Sequence, residues 1–253
     1  MRILAKSDIG KAREMNQDSF YVSDLKKDEI KLYILADGMG GYKGGEIASS
    51  LAVKSVKNFI FNNFKKSKKD RESILLLLKE AIEYANMIVY EEANKSVELQ
   101  DMGTTLDACL VYNNKVFIGH VGDSRVYRIR KNFMRKLTSD HSYVEKLVKE
   151  GTITKEEAYN HPKKNVLMKA LGCNSLVEPD LICKGFLKDD ILLMCSDGLT
   201  NMLRDNEIYN LLLQNPDKPV EALIKNANDL GGYDNITVVI VDNIEISEES
   251  KGR

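Results

Sequence analysis

The sequence has few of the residues that mark several large classes of protein. Its 253 residues include no tryptophan and only three histidines, at positions 120, 141 and 161, so we expect no histidine-rich zinc centre. The cysteines lack the C-x-x-C spacing of zinc and redox sites, and we expect free, buried thiols rather than disulfides. They are Cys109, Cys173, Cys183 and Cys195.

Long apolar segments are absent as well. No run approaches the roughly 20 apolar residues that a membrane helix needs. The first residues, Met1 to Asp8, also lack the apolar stretch of a signal peptide. We therefore expect a cytoplasmic protein that does not bind a membrane.

Neither sign of charge is in excess. The chain carries 37 basic and 38 acidic side chains, which gives no electrostatic reason to expect nucleic acid as a partner. It also lacks internal repeats and linkers rich in Pro, Ser or Gly, and its 43% hydrophobic content is enough for one large core. We expect a single domain over residues 1–245, a frayed tail at 246–253 and a monomer, with any function confined to a local site.

The most informative stretch is an apolar run, residues 32–36, that ends in Asp37 and a cluster of glycines. Such a run predicts a buried strand, and the glycines allow the backbone of the following turn to approach a small ligand closely. Asp123 and Asp197 follow similar runs, whereas Asp234 comes just before the run at 236–241. In an antiparallel sheet three strand ends and one strand start can share a rim, so we predict that these four aspartates lie together.

Two further residues are expected at this rim. A hairpin of strands 19–24 and 30–36 would place Asp18 beside Asp37. Arg13 lies just upstream and would bring a guanidinium to the same place. The sequence around Arg13 is equally compatible with an ordinary exposed arginine.

The order of predicted elements favours an α+β fold. Strands are followed by two long helices at 45–64 and 72–94, then by strands at 105–112, 116–121 and 125–130. A polar, helical excursion at 142–170 precedes strands at 180–187 and 190–196, helices at 204–214 and 217–230, and a last strand at 236–241. Because strands and helices do not alternate, we expect a central antiparallel β-sandwich flanked by helices rather than a doubly wound parallel sheet.

Clustered carboxylates suggest a metal site. Two of them about 4 Å apart repel by ~1 kcal/mol in water and by ~4 kcal/mol at an effective dielectric near 20, so cations must offset the repulsion. Oxygen ligands select Mg²⁺ or Mn²⁺, with Ca²⁺ as a competitor. Two such ions would activate a water for attack on phosphorus, and Arg13 would hold the phosphoryl oxygens. The hypothesis is phosphate-ester hydrolysis without a covalent phosphoenzyme.

Each aspartate also has an ordinary structural explanation. An Asp-Gly pair is most often a turn. Asp123 could pair with Arg125, and Asp234 could form an Asx-turn before the last strand. The residues alone leave these alternatives open.

The motifs together resemble the metal-dependent protein phosphatase family, also called protein phosphatase type 2C, in its compact bacterial form. The resemblance runs from Arg13 to Val241. The matching motifs are R-x-x-N-Q-D at 13–18, A-D-G-M-G-G at 36–41, M-G-T-T at 102–105, V-G-D-S-R at 121–125, L-T-S-D-H at 137–141, H-P-x-x-N at 161–165 with A-L-G at 170–172, S-D-G-L at 196–199 and D-N at 234–235.

This resemblance implies a four-layer α-β-β-α fold and a serine/threonine phosphoprotein substrate. It also implies two core Mn²⁺ or Mg²⁺ ions, a third and weaker ion, and a bacterial serine/threonine kinase whose products the enzyme reverses. In such an enzyme metal-activated water attacks the phosphorus in one step. Residues 142–170 would be the flap that influences substrate choice.

The resemblance also implies roles for individual residues. Asp37 would bridge the two core metals, with the Gly38 carbonyl on one of them and Asp197 and Asp234 on the other. Asp123 would share the third ion with Asp197. Asp18 would hold water beside the metals, and Arg13 would bind the substrate phosphate. Arg13 and Asp37 are thus the expected catalytic residues.

The chain departs from the family pattern where a general acid is expected. Met39 and Tyr42 occupy positions at which many members carry a histidine, so we name no general acid. We assign no catalytic role to His141 or His161, which lie in family motifs. A pseudoenzyme that binds partners and a phosphatase for small phosphoesters remain the alternatives.

Overall fold

A computed structural model describes residues 1–40 and 44–243. Tyr42 and the tail at 246–253, for which fraying is expected, lie outside the described residues. Among the described helices, none combines the length and the apolar character needed to cross a membrane.

Two antiparallel sheets form the centre of the fold. The first has the order β1-β11-β10-β7-β8, which places β1 and β8 at its edges. Its strands are β1 (Arg2–Asp8), β7 (Arg125–Arg130), β8 (Phe133–Lys136), β10 (Ile191–Cys195) and β11 (Ile236–Asp242). The second has the order β2-β3-β5-β6-β9, with a short strand β4 paired to the end of β3. Its strands are β2 (Asp18–Val22), β3 (Lys31–Met39), β4 (Gly103–Thr104), β5 (Leu106–Tyr112), β6 (Lys115–Val121) and β9 (Asp180–Gly185).

The apolar run of β3 is buried on both faces. Leu32 and Ile34 belong to the core beneath the long helices, whereas Tyr33 and Leu35 pack between the two sheets. This position explains why the strand is continuously apolar rather than alternating.

Helices cover the outer face of each sheet. The helices α1 (Gly44–Asn63) and α2 (Arg71–Ala93) pack on the second sheet, and α6 (Asp205–Gln214) and α7 (Pro219–Asp229) pack on the first. A short helix, α5 (Asp197–Thr200), follows β10 directly. The structure therefore confirms the α+β sandwich with helices on both sides.

The predicted flap is a helical excursion from the sheets, as expected. It contains α3 (Tyr143–Lys149) and α4 (Lys155–Tyr159), and α4 begins with a capping box formed by Thr154 and Glu157, whose T-x-x-E pattern is typical of a helix start. The guanidinium of Arg204 donates two hydrogen bonds to the carboxylate of Glu156, at 2.6 and 2.7 Å. This ion pair ties α4 to the start of α6.

Some sequence predictions were wrong in detail. The strand predicted at 180–187 ends at Gly185, because its partner strand β6 begins at Lys115; one further bond, from the Phe186 amide to the Asn114 carbonyl at 2.9 Å, closes the pairing. Buried thiols were expected throughout, but Cys173 is exposed because it follows the turn at Gly172, and Cys183 is only partly buried.

Candidate metal centre

The predicted aspartates converge at one end of the sandwich. Asp18 lies directly opposite Asp37 in the β2–β3 register, as expected. A cleft of about 400 Å³ is lined by Asp37, Asp123, Asp197 and Asp234, together with Gly38 and Arg13. The structure thus brings all the sequence-predicted side chains to one rim, with Asp18 beside the cleft.

Asp37 is held by the two threonines of the G-T-T segment. The Thr105 hydroxyl accepts a hydrogen bond from the Asp37 amide at 2.9 Å, and the Asp37 carbonyl accepts from the Thr104 hydroxyl at 2.9 Å. The Thr105 hydroxyl also contacts that of Ser124 at 2.8 Å. These bonds fix Asp37 relative to the turn that carries Asp123.

Asp18 joins the two sheets. One of its carboxylate oxygens accepts hydrogen bonds from the hydroxyls of Ser196, at 2.9 Å, and Thr237, at 2.6 Å. Its other oxygen, Oδ1, is buried and has no hydrogen-bond partner among the described residues. Burial is the main reason that the pKa of Asp18 rises to about 7.

The cleft carboxylates repel one another. Burial and the neighbouring aspartates raise the pKa of Asp37 well above its usual value. The pKa of Asp197 rises to about 6, through burial and then through Asp234, although Asn201 donates a hydrogen bond to its carboxylate at 2.9 Å. Burial and repulsion from Asp197 likewise raise the pKa of Asp123. Arg125 forms its ion pair with Asp140, at 2.7 Å, and lowers the pKa of Asp123 only through longer-range attraction.

Arg13 reaches the rim and forms an ion pair with Asp234, with 2.8 Å between Nη2 and Oδ2. Its side chain is 51% exposed. The loop that carries it is fixed by Asn235, whose side chain donates to the carbonyls of Ile9 and Met15 and accepts from the Gln17 amide. Arg13 is therefore a positioned residue of the cleft and not a free surface arginine.

Gly38 occupies a position where no side chain fits. A Cβ atom there would lie 2.1 Å from the Gly45 carbonyl oxygen and 2.5 Å from that of Gln17. Glycine is thus required by close backbone packing at the point where β3 enters the cleft.

The donor set fits hard divalent cations. The side chains that could bind a metal here are all carboxylates, and the raised pKa values of Asp37, Asp123 and Asp197 indicate that nearby positive charge would keep these three ionised together. Within the described part of the chain no three His, Cys, Asp or Glu side chains already converge as a complete ligand set. Asp234 is instead engaged with Arg13.

Sequence reasoning missed several residues that hold the site. Thr105 and Asn235 lie in motifs that were recognised, but their roles depend on hydrogen bonds that spacing does not reveal. Thr237 and Ser196 hold Asp18 from the other sheet. Asn165 and Leu167, from the flap, also line the cleft.

Two histidines adjoin the turn before Asp123. The buried His120 bonds Asp107 at 2.7 Å and the Ser139 carbonyl at 3.1 Å, and its ring lies 4.7 Å from that of His141. The His141 amide donates to the Gly122 carbonyl at 2.7 Å, while His141 Nδ1 accepts from the Gly122 amide at 3.1 Å. His141 therefore contacts Gly122 twice, and that residue has a φ of +113°.

Comparisons with known proteins agree with this architecture. The family model described as protein phosphatase 2C matches residues 10–231. The serine/threonine phosphatase stp of Listeria welshimeri is 39% identical over 241 residues, which cover 94% of each chain. The structure of a Streptococcus agalactiae serine/threonine phosphatase superposes with a TM-score of 0.86 at 38% identity, covering 96% of this chain and 99% of that one. A PstP catalytic domain in complex with two manganese ions gives a TM-score of 0.84 at 35% identity, covering 96% and 98%.

Proposed function

The chain belongs to the protein phosphatase 2C family, and from this premise we propose that it is a metal-dependent serine/threonine protein phosphatase. The observation that supports this most directly is the convergence of five carboxylates and the Arg13 guanidinium at one rim. Relatives are named serine/threonine phosphatases, and one holds two manganese ions.

We assign the ligand roles residue by residue. Asp37 and the Gly38 carbonyl would hold one core ion, and Asp37, Asp197 and Asp234 the other. Asp123 and Asp197 would hold a weaker third ion. When bound, Mn²⁺ or Mg²⁺ lowers the pKa of coordinated water and offsets negative charge on a phosphoryl group.

The residues of the chain bind and orient the phosphate ester. Apart from its bond to Asp234, the Arg13 guanidinium makes no hydrogen bond within residues 1–40 and 44–243, so its remaining N–H groups can bind phosphoryl oxygens. Asp18 lies where its free Oδ1 can accept a hydrogen bond from water. The described residues that line the cleft include no histidine, in keeping with Met39, so no side chain is assigned to protonate the leaving group.

The flap and the open cleft favour a protein substrate over a small phosphoester. Asn165 and Leu167 of the flap face the same cleft as the aspartates, so a phosphoprotein would contact both. We further propose that the protein is a cytoplasmic monomer and that it removes the phosphoryl groups added by a bacterial serine/threonine kinase.

The deciding experiment is hydrolysis of a phosphothreonine peptide with Mn²⁺ or Mg²⁺, with EDTA, and with Asp37→Asn in parallel. We expect turnover that requires metal and is lost in the variant. A folded wild type that binds metal without turnover would favour a partner-binding pseudoenzyme. Efficient hydrolysis of para-nitrophenyl phosphate alone would favour a small-molecule phosphatase.

Two variants separate the assigned roles. Arg13→Ala should lower kcat/KM by roughly 10- to 100-fold, because charge-assisted hydrogen bonds worth about 1.5–3 kcal/mol are lost. Metal binding should be retained, because the variant frees Asp234 from its ion pair with Arg13. Asp123→Ala should slow turnover and spare the two core ions in a calorimetric metal titration. Loss of both core ions in Asp123→Ala would contradict its assignment to the third.

A further inference from the structure

A second, strongly basic cleft lies on the β7–β8 hairpin. Its volume is about 500 Å³, and it is lined by Arg128, Arg130, Lys131, Asn132, Phe133 and Arg135, with no acidic residue. The Phe133 side chain at its edge is 68% exposed. The chain as a whole carries a net charge of −1, so this concentration of positive charge is local.

The charges of this basic cleft are poorly compensated. Arg128 and Arg135 lie directly opposite each other in the β7–β8 register, an arrangement that destabilises a sheet when the charges are alike. Arg130 is paired with Asp190, but Arg128, Lys131 and Arg135 have no acidic partner within residues 1–40 and 44–243. The Arg128 Nε is buried without a hydrogen-bond partner, and burial together with Arg130 lowers the pKa of this guanidinium.

The basic cleft is continuous with the metal centre. A cavity of about 720 Å³ lies between the hairpin, the flap and α6. It shares Asp123 and Asp197 with the catalytic cleft at one end and Phe133 and Arg135 with the basic cleft at the other. Along β7, Arg128 and Arg130 lie roughly 10 and 17 Å from Arg125, at about 3.3 Å per residue, but on the opposite face of the sheet. A substrate segment would reach them around the edge strand β8, past Arg135 and Phe133. An extended peptide needs at least roughly three to five residues for that span.

We propose that the basic cleft binds acidic side chains that flank the phosphorylated residue of a protein substrate. This inference rests on the proposed phosphatase function and names the substrate class. Aspartates or glutamates about three to six positions from the phosphoresidue would lie against Arg128, Lys131 and Arg135. Phe133 would pack against the apolar parts of the same segment.

The test compares pairs of phosphothreonine peptides. Within a pair the residues three to six positions from the phosphoresidue are all glutamates in one peptide and all glutamines in the other. One pair carries this segment before the phosphoresidue and a second pair carries it after. The test variant is Lys131→Gln with Arg135→Gln, because both side chains are exposed and unpaired. The matched control is Lys68→Gln with Arg71→Gln, two exposed cations at the start of α2. Wild type and control should favour the acidic peptide by about five-fold in kcat/KM, and the test variant by less than two-fold.

Further measurements separate the possible failures. The acidic preference should decline with added salt in the wild type and in the control variant, which keep the basic cleft, and para-nitrophenyl phosphate hydrolysis should be unchanged in every variant. Fluorescence anisotropy of the unphosphorylated acidic peptide tests the cleft without catalysis, so an inactive wild type that still binds this peptide would contradict the phosphatase function alone. If the wild-type enzyme has the same kcat/KM for the acidic and the glutamine peptides, the inference is overturned. Self-association of the test variant with unchanged kinetics would also overturn it, because the charges would then serve only to protect the edge strand β8.

Discussion

Replacement of His141 tests whether its contact with Gly122 positions Asp123. In His141→Leu the buried Gly122 amide loses its acceptor at 3.1 Å. An unsatisfied buried N–H costs about 1–3 kcal/mol. In His141→Asn the side-chain oxygen takes the place of Nδ1, so the acceptor is kept. Both variants lose the ring contact with His120 and the 3.3 Å contact with Asp180, so the difference between them isolates the Gly122 bond.

Urea unfolding of the metal-free variants measures this difference. We expect His141→Leu to be about 1–3 kcal/mol less stable than His141→Asn. In an NMR spectrum the Gly122 amide should exchange faster with solvent in the leucine variant only, and a calorimetric Mn²⁺ titration should show weakening of the third ion. Equal stability of the two variants, with equal protection of the Gly122 amide, would refute the positioning role.

Three further predictions concern the buried charges, the metal and the packing of glycine. His120→Phe should cost about 3–5 kcal/mol in urea unfolding because it leaves Asp107 unpaired, and the double variant with Asp107→Leu should recover much of this loss. Burial lowers the pKa of His120 but Asp107 outweighs it, so the net pKa is raised. The stabilisation is full below about pH 6.5 and should decline as pH rises through the raised pKa, a dependence absent from the double variant, which lacks both partners. Mn²⁺ at about 100 times its dissociation constant should stabilise the wild type by about 2.7 kcal/mol. Thermal unfolding with and without EDTA measures this stabilisation, which should be absent when EDTA is present and absent from Asp37→Asn under both conditions. Gly198→Ala should greatly weaken metal binding and stability, because its Cβ would lie 2.0 Å from the Asn235 carbonyl oxygen; Gly151→Ala, with nothing within 4 Å, should cost only the strain of its φ of +73°.

Much of the fold could be predicted because it rests on local patterns. The run at 32–36 is buried on both faces and could only be a central strand, and the capping box at Thr154 marked a helix start. Positions of the candidate metal aspartates followed from strand ends sharing one rim. The Asp18–Asp37 pairing followed from a single short hairpin.

The remaining features depend on contacts between distant segments. Thr237 lies inside an apolar strand, and nothing in its surroundings predicts a hydrogen bond to Asp18, which lies 219 residues away. Arg125 was considered as a partner of Asp123, but the structure pairs it with Asp140 across the β7–β8 hairpin. The exposed Cys173 was predicted to be buried along with the other unpaired cysteines, whereas it follows the turn at Gly172 and lies at the surface. Local sequence does not contain this tertiary information.

The rim is shared between the two sheets, and this links ion affinity to the packing of the sandwich. Asp18 and Asp37 belong to one sheet, whereas Asp197 and Asp234 adjoin strands of the other. The layer between the sheets contains Val126, Leu192 and Val239, none of which lines the cleft. A cation held by both sheets, as proposed, would connect them across that layer, so loosening the layer would also move the ligands apart. Divalent-ion affinity would then report on interior packing, and a cavity in this layer would weaken the metal centre without altering any of its ligands.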